Sequence, residues 1–395
     1  MVLPYSRQFI DDGDIKAVTD VLRSDFITQG PKIEEFETAL AEYCGAAHAV
    51  IFSSGTAALH AACEVAGVGA GDEIVTTPLT FVATANVSLY VGAKPVFIDV
   101  ECDTGNIDAN LIEHAITPCT KAIIPVHFAG HPAAMEQVFD LAQKQGLVII
   151  EDACHALGAR YLLSRAKEHR GGERAEWVRI GKCALSDMTV FSFHPVKHIT
   201  TGEGGAVLTN DKSYYDRLLM FRTHGITRTE FTREPDGPWY YEMHLLGFNY
   251  RMTDLQAALG ISQLRKIERF IERRREIAGI YNRKFHSNPF FDVPAEKDYA
   301  YSAYHLYPIR LKEGYAVKKA AIVSELRRRG LGVQVHYIPV YLQPFYQQLG
   351  YEKALCPVSE AFYRSEISIP IYPAMNDDEV CFVTETLVRV FEDFA

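Results

Sequence analysis

The chain is poor in the features that mark several protein classes. Its eight cysteines (Cys44, Cys63, Cys102, Cys119, Cys154, Cys183, Cys356 and Cys381) form no C-x-x-C pair. Neither a zinc site nor a disulfide framework is therefore suggested, and most read as small core residues. No apolar run reaches the length of a membrane span. The start, Met1-Val2-Leu3-Pro4-Tyr5-Ser6, has neither the basic stretch nor the apolar centre of a signal peptide. A cytoplasmic location away from membranes is the expectation. Basic residues are outnumbered, 40 Lys and Arg against 50 Asp and Glu, for a net charge of −10. That balance offers no surface for a nucleic-acid backbone. Internal repeats and low-complexity tracts are missing as well.

What is present is material for a large core, with 48% hydrophobic residues in 395. Short apolar runs recur at helix-sized intervals: His48–Phe52, Glu73–Thr76, Pro95–Ile98, Ala122–Val126, Leu147–Ile150, Thr189–Phe191 and Gly205–Leu208. Runs apolar on successive residues predict strands buried on both faces, hence an α/β domain with a mainly parallel central sheet. From about Ala257 the texture changes. A long charged helix is predicted over Gln263–Arg283, then strands near Tyr304–Ile309 and Val333–Tyr337 and helices near Val317–Arg329 and Asp377–Phe391. This divides the chain into a large domain, 1–256, and a smaller α+β domain, 257–395, on which about the first twenty residues are expected to pack. The polar segment Leu162–Glu176 reads as an exposed loop.

Three places carry candidate chemistry. Ser53-Ser54-Gly55-Thr56 follows a strand and opens a helix, with Ser54 a candidate N-cap. Free N–H groups at such a start bind phosphate, although the same pattern also makes a plain turn. Glu151-Asp152 closes a strand at the edge where open α/β sheets bind ligands. A carboxylate there can hold a pyridine nitrogen protonated, or simply make a salt bridge. Lys197 lies in Phe191-Ser192-Phe193-His194-Pro195-Val196-Lys197-His198, ahead of the loop Thr200–Gly205. That loop leads into a strand and lacks the spacing of a nucleotide P-loop. A lysine between two strands, with a serine five positions earlier and an acidic pair upstream, is the arrangement expected for a Schiff base with pyridoxal phosphate (PLP).

Taken together, these segments resemble the DegT/DnrJ/EryC1/StrS sugar aminotransferases, fold type I PLP enzymes, over nearly the whole chain. The matching stretches include Asp25–Pro31, Ser54–Leu59, Thr77–Asn86, Glu151–Ala159, the lysine block and Gly247–Leu259. The resemblance implies that Lys197 forms the Schiff base and that Asp152 pairs with the ring nitrogen. It implies phosphate contacts from Gly55, Thr56 and Ser192, stacking by Phe81, and His155 beside the ring hydroxyl. Asn249 would reach the phosphate of the neighbouring subunit, so a homodimer with shared sites is implied. Tyr5, Asp25, Phe26, Ile27, Thr28, Gln334, Val335, His336 and Tyr337 correspond to the nucleotide-sugar side. Arg222 and His224 are candidates for the donor carboxylate or the diphosphate, or else shape their loop. Within the family the lysine block and Thr77–Asn86 are most similar to enzymes of pseudaminic acid biosynthesis. These imply transamination of a UDP-linked 4-keto-6-deoxy-N-acetyl hexose with L-glutamate. Two features depart from the pattern: His198 where proline often follows the lysine, and the length of Leu162–Glu176. The rival readings are aminotransfer to another nucleotide-linked keto sugar, PLP-dependent sugar dehydration, and a non-catalytic regulator on the same fold.

Overall fold

In the computed structural model, which describes residues 2–167, 173–229 and 231–395, a seven-stranded sheet forms the centre. Its strands are β1 (His48–Phe52), β2 (Glu73–Thr76), β3 (Lys94–Phe97), β4 (Thr120–Ile124), β5 (Val148–Asp152), β8 (Met188–Ser192) and β9 (Gly205–Thr209). Between β5 and β8 run β6 (Arg160–Lys167) and β7 (Glu173–Arg179), which lie outside that sheet. The order is β1-β9-β8-β5-β4-β2-β3, and only β9 runs against the others. All seven apolar runs of the sequence are thus strands of one sheet. Each is apolar on successive residues because both faces are covered. One face carries a cluster including Phe36, Ile51, Val75, Ile149 and Phe191. The other carries Val50, Phe52, Leu59, Ile74, Ile124 and Val190. Each fully buried large side chain contributes about 1.5–3 kcal/mol by leaving water.

The chain after the sheet builds a third cluster, around Tyr281, Tyr307, Ile309, Leu326, Ile367, Leu387 and Val390. Helix Ile267–Lys284 joins the two regions: Ile267, Phe270 and Ile271 belong to the first cluster, whereas Ile277, Ala278 and Tyr281 belong to the third. The helix expected over Gln263–Arg283 is the second of two, Asp254–Leu264 and Ile267–Lys284, with Gln263 and Leu264 ending the first. Thr253 and Gln256 close a capping box at the start of the first. The N-terminal segment bridges Leu3 to Leu331 and buries Leu3 in the third cluster.

Three expectations need correction. Val333–Tyr337 is not a strand. It makes one bridge, Gln334 to Ser368, after which the His336 N–H donates to the Glu366 side chain (2.8 Å) instead of continuing a ladder. The strand expected near Tyr304–Ile309 occupies Tyr307–Leu311 and pairs with Glu366–Ile369. The supposed loop Leu162–Glu176 is mostly an antiparallel pair, β6 with β7, joined by Ala300–Tyr301. The pair meets the core near its base, through Tyr161 and Val178 with Leu163 packed against them, and the polar residues beyond give no apolar run to read. Residues 168–172 of that segment lie outside the described residues. Among the described residues no helix is long and apolar enough to cross a membrane.

Candidate active site

Sheet register explains why the candidate residues meet. Phe52, the last residue of β1, pairs with Gly205, and Gly205 pairs with Ser192, the last residue of β8. Asp152, the last of β5, pairs with Val190 in the same strand as Ser192. The turn after β1, the lysine segment after β8 and the carboxylate of β5 therefore share one carboxyl edge, where open α/β sheets bind ligands.

At the turn, Ser54 caps the helix Gly55–Val65 by accepting from the Ala57 N–H (3.1 Å). The helix start leaves the Gly55 and Thr56 N–H groups without intrahelical acceptors, at the positive end of the dipole. The turn fits its surroundings closely. A Cβ on Gly55 would lie 2.9 Å from Ser192 Cβ, and one on Gly205 would lie 2.5 Å from the Ser54 carbonyl oxygen. Gly55→Ala is expected to push Ser192 away from the helix start at a cost of about 1–3 kcal/mol. Equilibrium dialysis should then show weaker retention of a phosphate-bearing cofactor than in the wild type.

Asp152 is buried, and both its oxygens are held. Oδ2 accepts from the Thr84 hydroxyl (2.7 Å), itself bonded to Thr80 (2.8 Å), and Oδ1 accepts from the Cys154 N–H (3.1 Å). Glu151, next in sequence, points to the other face. It meets His127 Nε2 (2.7 Å) and accepts from the Ser186 and Thr189 hydroxyls. Burial opposes its charge, yet those partners hold its carboxyl below the usual range. Of the two acidic residues, only Asp152 faces the site. Cys154 is half-buried, and its thiol is pushed well up by burial and by Asp152.

Lys197 is half-buried in the segment after β8. Burial lowers its pKa, and the nearby Cys154 and Asp152 oppose that shift. The amine is thus neutral more readily than an exposed lysine, as a nucleophile or proton carrier needs. Around it stand His155, His198, His305 and His336, all shifted downward by burial first and by the Lys197 charge among further causes. His155 Nε2 shares a hydrogen bond with the Tyr337 hydroxyl (3.2 Å), and its ring lies 4.3 Å, centre to centre, from His305. Its Nδ1 is buried without a partner among the described residues.

Phe81 is 59% exposed although large and apolar, so it is a wall of the site and not a core ring. It lies 6.4 Å from the Tyr337 ring. Tyr5 sits 5.7 Å from the His336 ring, and the Ser6 hydroxyl donates to the carbonyl of Val196, beside Lys197 (3.2 Å). Tyr5, Phe81, Asp152, His155, Lys197, His336 and Tyr337 are therefore assembled by one chain. Gln334 and Val335 lead into His336, with the Gln334 side chain turned back to the Val335 N–H (3.2 Å). Asp25, Phe26, Ile27 and Thr28 are exposed and fastened elsewhere: Thr28 bridges Thr253, and the Ile27 carbonyl accepts from the Asp254 N–H (3.1 Å). Asn249 is exposed beside Tyr250, whose carbonyl accepts from the Ser53 N–H (2.8 Å). Arg222 is committed to Glu37 and to the Ile51 carbonyl, so it shapes the fold. His224 turns the chain at a positive φ, and its N–H donates to the Phe248 carbonyl (2.9 Å). The sequence reading missed Thr84 and His305. Thr84 lay within a stretch already singled out, whereas nothing in the spacing pointed to His305.

The donor set suits PLP: a helix start and Ser192 for the phosphate, Asp152 for a ring nitrogen, an orphaned imidazole nitrogen on His155, an exposed Phe81 face, and one amine of lowered pKa. Fold and site thus define a PLP-dependent aminotransferase. Residues 8–388 match the DegT/DnrJ/EryC1/StrS aminotransferase family, and the chain belongs to that family. It is 41% identical over 395 residues to the UDP-4-amino-4,6-dideoxy-N-acetyl-beta-L-altrosamine transaminase of Campylobacter jejuni, covering 99% of this chain and 98% of that protein. Among solved structures, PseC of Helicobacter pylori, an aminotransferase involved in the biosynthesis of pseudoaminic acid, superposes with a TM-score of 0.89. It has 37% identity, with both chains covered fully. The PLP form of the putative sugar aminotransferase Spr1654 from Streptococcus pneumoniae gives 0.90 at 31% identity, again over both full chains. The cofactor is PLP, and the reaction is transfer of an amino group to a sugar.

Proposed function

We propose that the protein transfers the amino group of L-glutamate to C4 of a UDP-linked 4-keto-6-deoxy-N-acetyl hexose, giving UDP-4-amino-4,6-dideoxy-N-acetyl-β-L-altrosamine and 2-oxoglutarate. The observation that carries the reading is the meeting of Lys197, Asp152 and the Gly55 turn on one sheet edge, in a chain so similar to the Campylobacter transaminase. Bound PLP supplies an electron sink for the negative charge that develops at the reacting carbon. Gly55, Thr56 and Ser192 would hold its phosphate, Asp152 would keep its ring nitrogen protonated, and His155 and Phe81 would position the ring. Lys197 Nζ removes the proton from the glutamate Cα in the first half-reaction. In the second it delivers a proton to the sugar C4. A lowered pKa serves both directions, since the amine must accept and release a proton near neutrality.

Tyr5, His336, Tyr337, Gln334 and Val335 form the sugar side. The reaction belongs in the cytoplasm, and the working form is a homodimer. Exposed apolar side chains at Phe26, Ile27, Tyr241, Met243, Leu246 and Phe248 support such an assembly. In it, Asn249 reaches the partner's phosphate site and Asp25–Thr28 meets the sugar nucleotide.

Incubation with glutamate and a panel of UDP-, GDP- and dTDP-linked 4-keto sugars, read by mass spectrometry, tests the substrate. The UDP-linked N-acetyl hexose is expected to gain an amino group roughly tenfold faster than the rest or better, the worth of about one hydrogen bond. Turnover of GDP or dTDP sugars alone would refute the substrate while leaving aminotransfer in place.

A further inference from the structure

One buried hydrogen-bond chain behind the sugar side has no part in the mechanism so far. Glu366 and Ser368 lie two apart on the strand Glu366–Ile369 and so share a face, while Ile367 and Ile369 enter the core. Both polar residues are fully buried. The Ser368 hydroxyl donates to Glu366 Oε1, Ser368 Oγ meets His336 Nδ1 at 2.8 Å, and Glu366 Oε2 accepts the His336 N–H at 2.8 Å. The same ring faces Tyr5 and Tyr337, and Lys197 is close enough to act on its charge. Its Nε2 takes no hydrogen bond among the described residues.

A serine hydroxyl has one proton, so the chain has two arrangements. With Glu366 ionised, Ser368 donates to the carboxylate and can only accept from His336, which then carries its proton on Nδ1 and leaves Nε2 bare. With Glu366 neutral, the carboxyl proton belongs on Oε1, because Oε2 already faces an N–H. Oε1 then donates to Ser368, Ser368 donates to Nδ1, and the imidazole proton moves to Nε2. We propose that Glu366 and Ser368 are positioning residues that set the tautomer of His336, and thereby whether its Nε2 offers a donor or an acceptor to an oxygen of the sugar nucleotide. The proposal rests on the substrate reading above for its ligand, though not for its chain.

The charged and titratable groups around the chain are Lys319 on the neighbouring helix, Lys197, His155, Tyr5 and Tyr337. Burial pushes Glu366 up to about 8, against the hydrogen bonds from Ser368 and the His336 N–H and then the charge of Lys319. His336 is pushed down to about 3, by burial and then by Lys197. Across the working range the ring therefore stays uncharged, and only its tautomer can change. The donor form holds while Glu366 is protonated, and the acceptor form, with Ser368 donating to Oε1, appears as Glu366 ionises.

The test is nitrogen NMR of protein carrying labelled histidine, with the His336 signals assigned by their loss in His336→Asn. Wild type should show the proton on Nε2 below neutrality and on Nδ1 well above the Glu366 pKa of about 8. Glu366→Gln, whose amide can donate to Ser368 while its oxygen accepts the His336 N–H, should keep the proton on Nε2 throughout. Wild type with the same tautomer at both pH values, or Glu366→Gln indistinguishable from wild type at high pH, would overturn the proposal. Kinetically, KM for the UDP-linked 4-keto sugar should rise up to about tenfold on the alkaline side in wild type, the worth of one hydrogen bond. It should stay flat in Glu366→Gln and be raised at all pH values in Ser368→Ala, with Ser368→Thr restoring it. The glutamate half-reaction should follow none of these changes. If wild type does not turn over that sugar, the substrate reading fails, whereas the NMR comparison still decides the tautomer.

Discussion

Lys197→Ala should lower transamination by at least about 10³–10⁴-fold, the range expected when a positioned proton carrier is removed. No other amine among the described residues is placed to substitute. Lys319, the other lysine whose pKa is brought down by burial, donates to the Tyr363 carbonyl and lies beside Glu366. Borohydride treatment followed by peptide mapping should attach the cofactor to the Lys197 peptide in wild type and nowhere in the variant. Circular dichroism should be unchanged, because the lysine side chain donates no hydrogen bond that holds the fold together among the described residues. A variant that retained about a tenth of the wild-type rate would remove Lys197 from the chemistry.

Asp152→Asn should cost about 10²–10³-fold, comparable with the loss of one preorganised electrostatic partner. The amide keeps the size and can still accept from the Thr84 hydroxyl and the Cys154 N–H, so the fold and cofactor retention should survive. What is lost is the negative charge opposite the ring nitrogen. Single-turnover measurements of each half-reaction separate this from a binding defect: both halves should slow by a similar factor, since both develop charge that the protonated ring absorbs. Slowing of only one half would mean that Asp152 serves a substrate and not the ring.

Legibility in the sequence followed burial. The seven strands of the central sheet could be read because double-sided burial leaves an uninterrupted apolar run, and their ends then marked Asp152, Ser192 and the Gly55 turn as neighbours. The pair β6 and β7 could not, since their sequence is mostly polar and charged and carries no such run. Val333–Tyr337 misled in the opposite direction: its composition suits a strand, but a side chain, Glu366, takes the N–H that a ladder would have used. Within the site, residue pattern found those at strand ends, and among those from distant segments family likeness supplied Tyr5, His336 and Tyr337 but not His305. His305 enters from the chain after the sheet, and the partnership of His336 with Ser368 and Glu366 exists only once two separate segments are docked. Family likeness brought Phe81 and Tyr5 into view, but their exposure and ring contacts are facts of geometry.

The reversed strand β9 has a consequence for how the protein reaches its working state. Because β9 runs against β8, the segment bearing Lys197 is a hairpin connection, closed by local pairing. The phosphate turn has no such local origin. It meets that hairpin only when β1, ending at Phe52, docks along β9, beginning at Gly205, a junction between segments far apart in the chain. Contacts of large sequence separation form slowly, because loop-closure entropy must be met before they stabilise anything. The lysine segment is thus closed by contacts near in the chain and the phosphate turn by contacts far apart, so joining the two parts of the site waits on the long-range docking of β1 along β9.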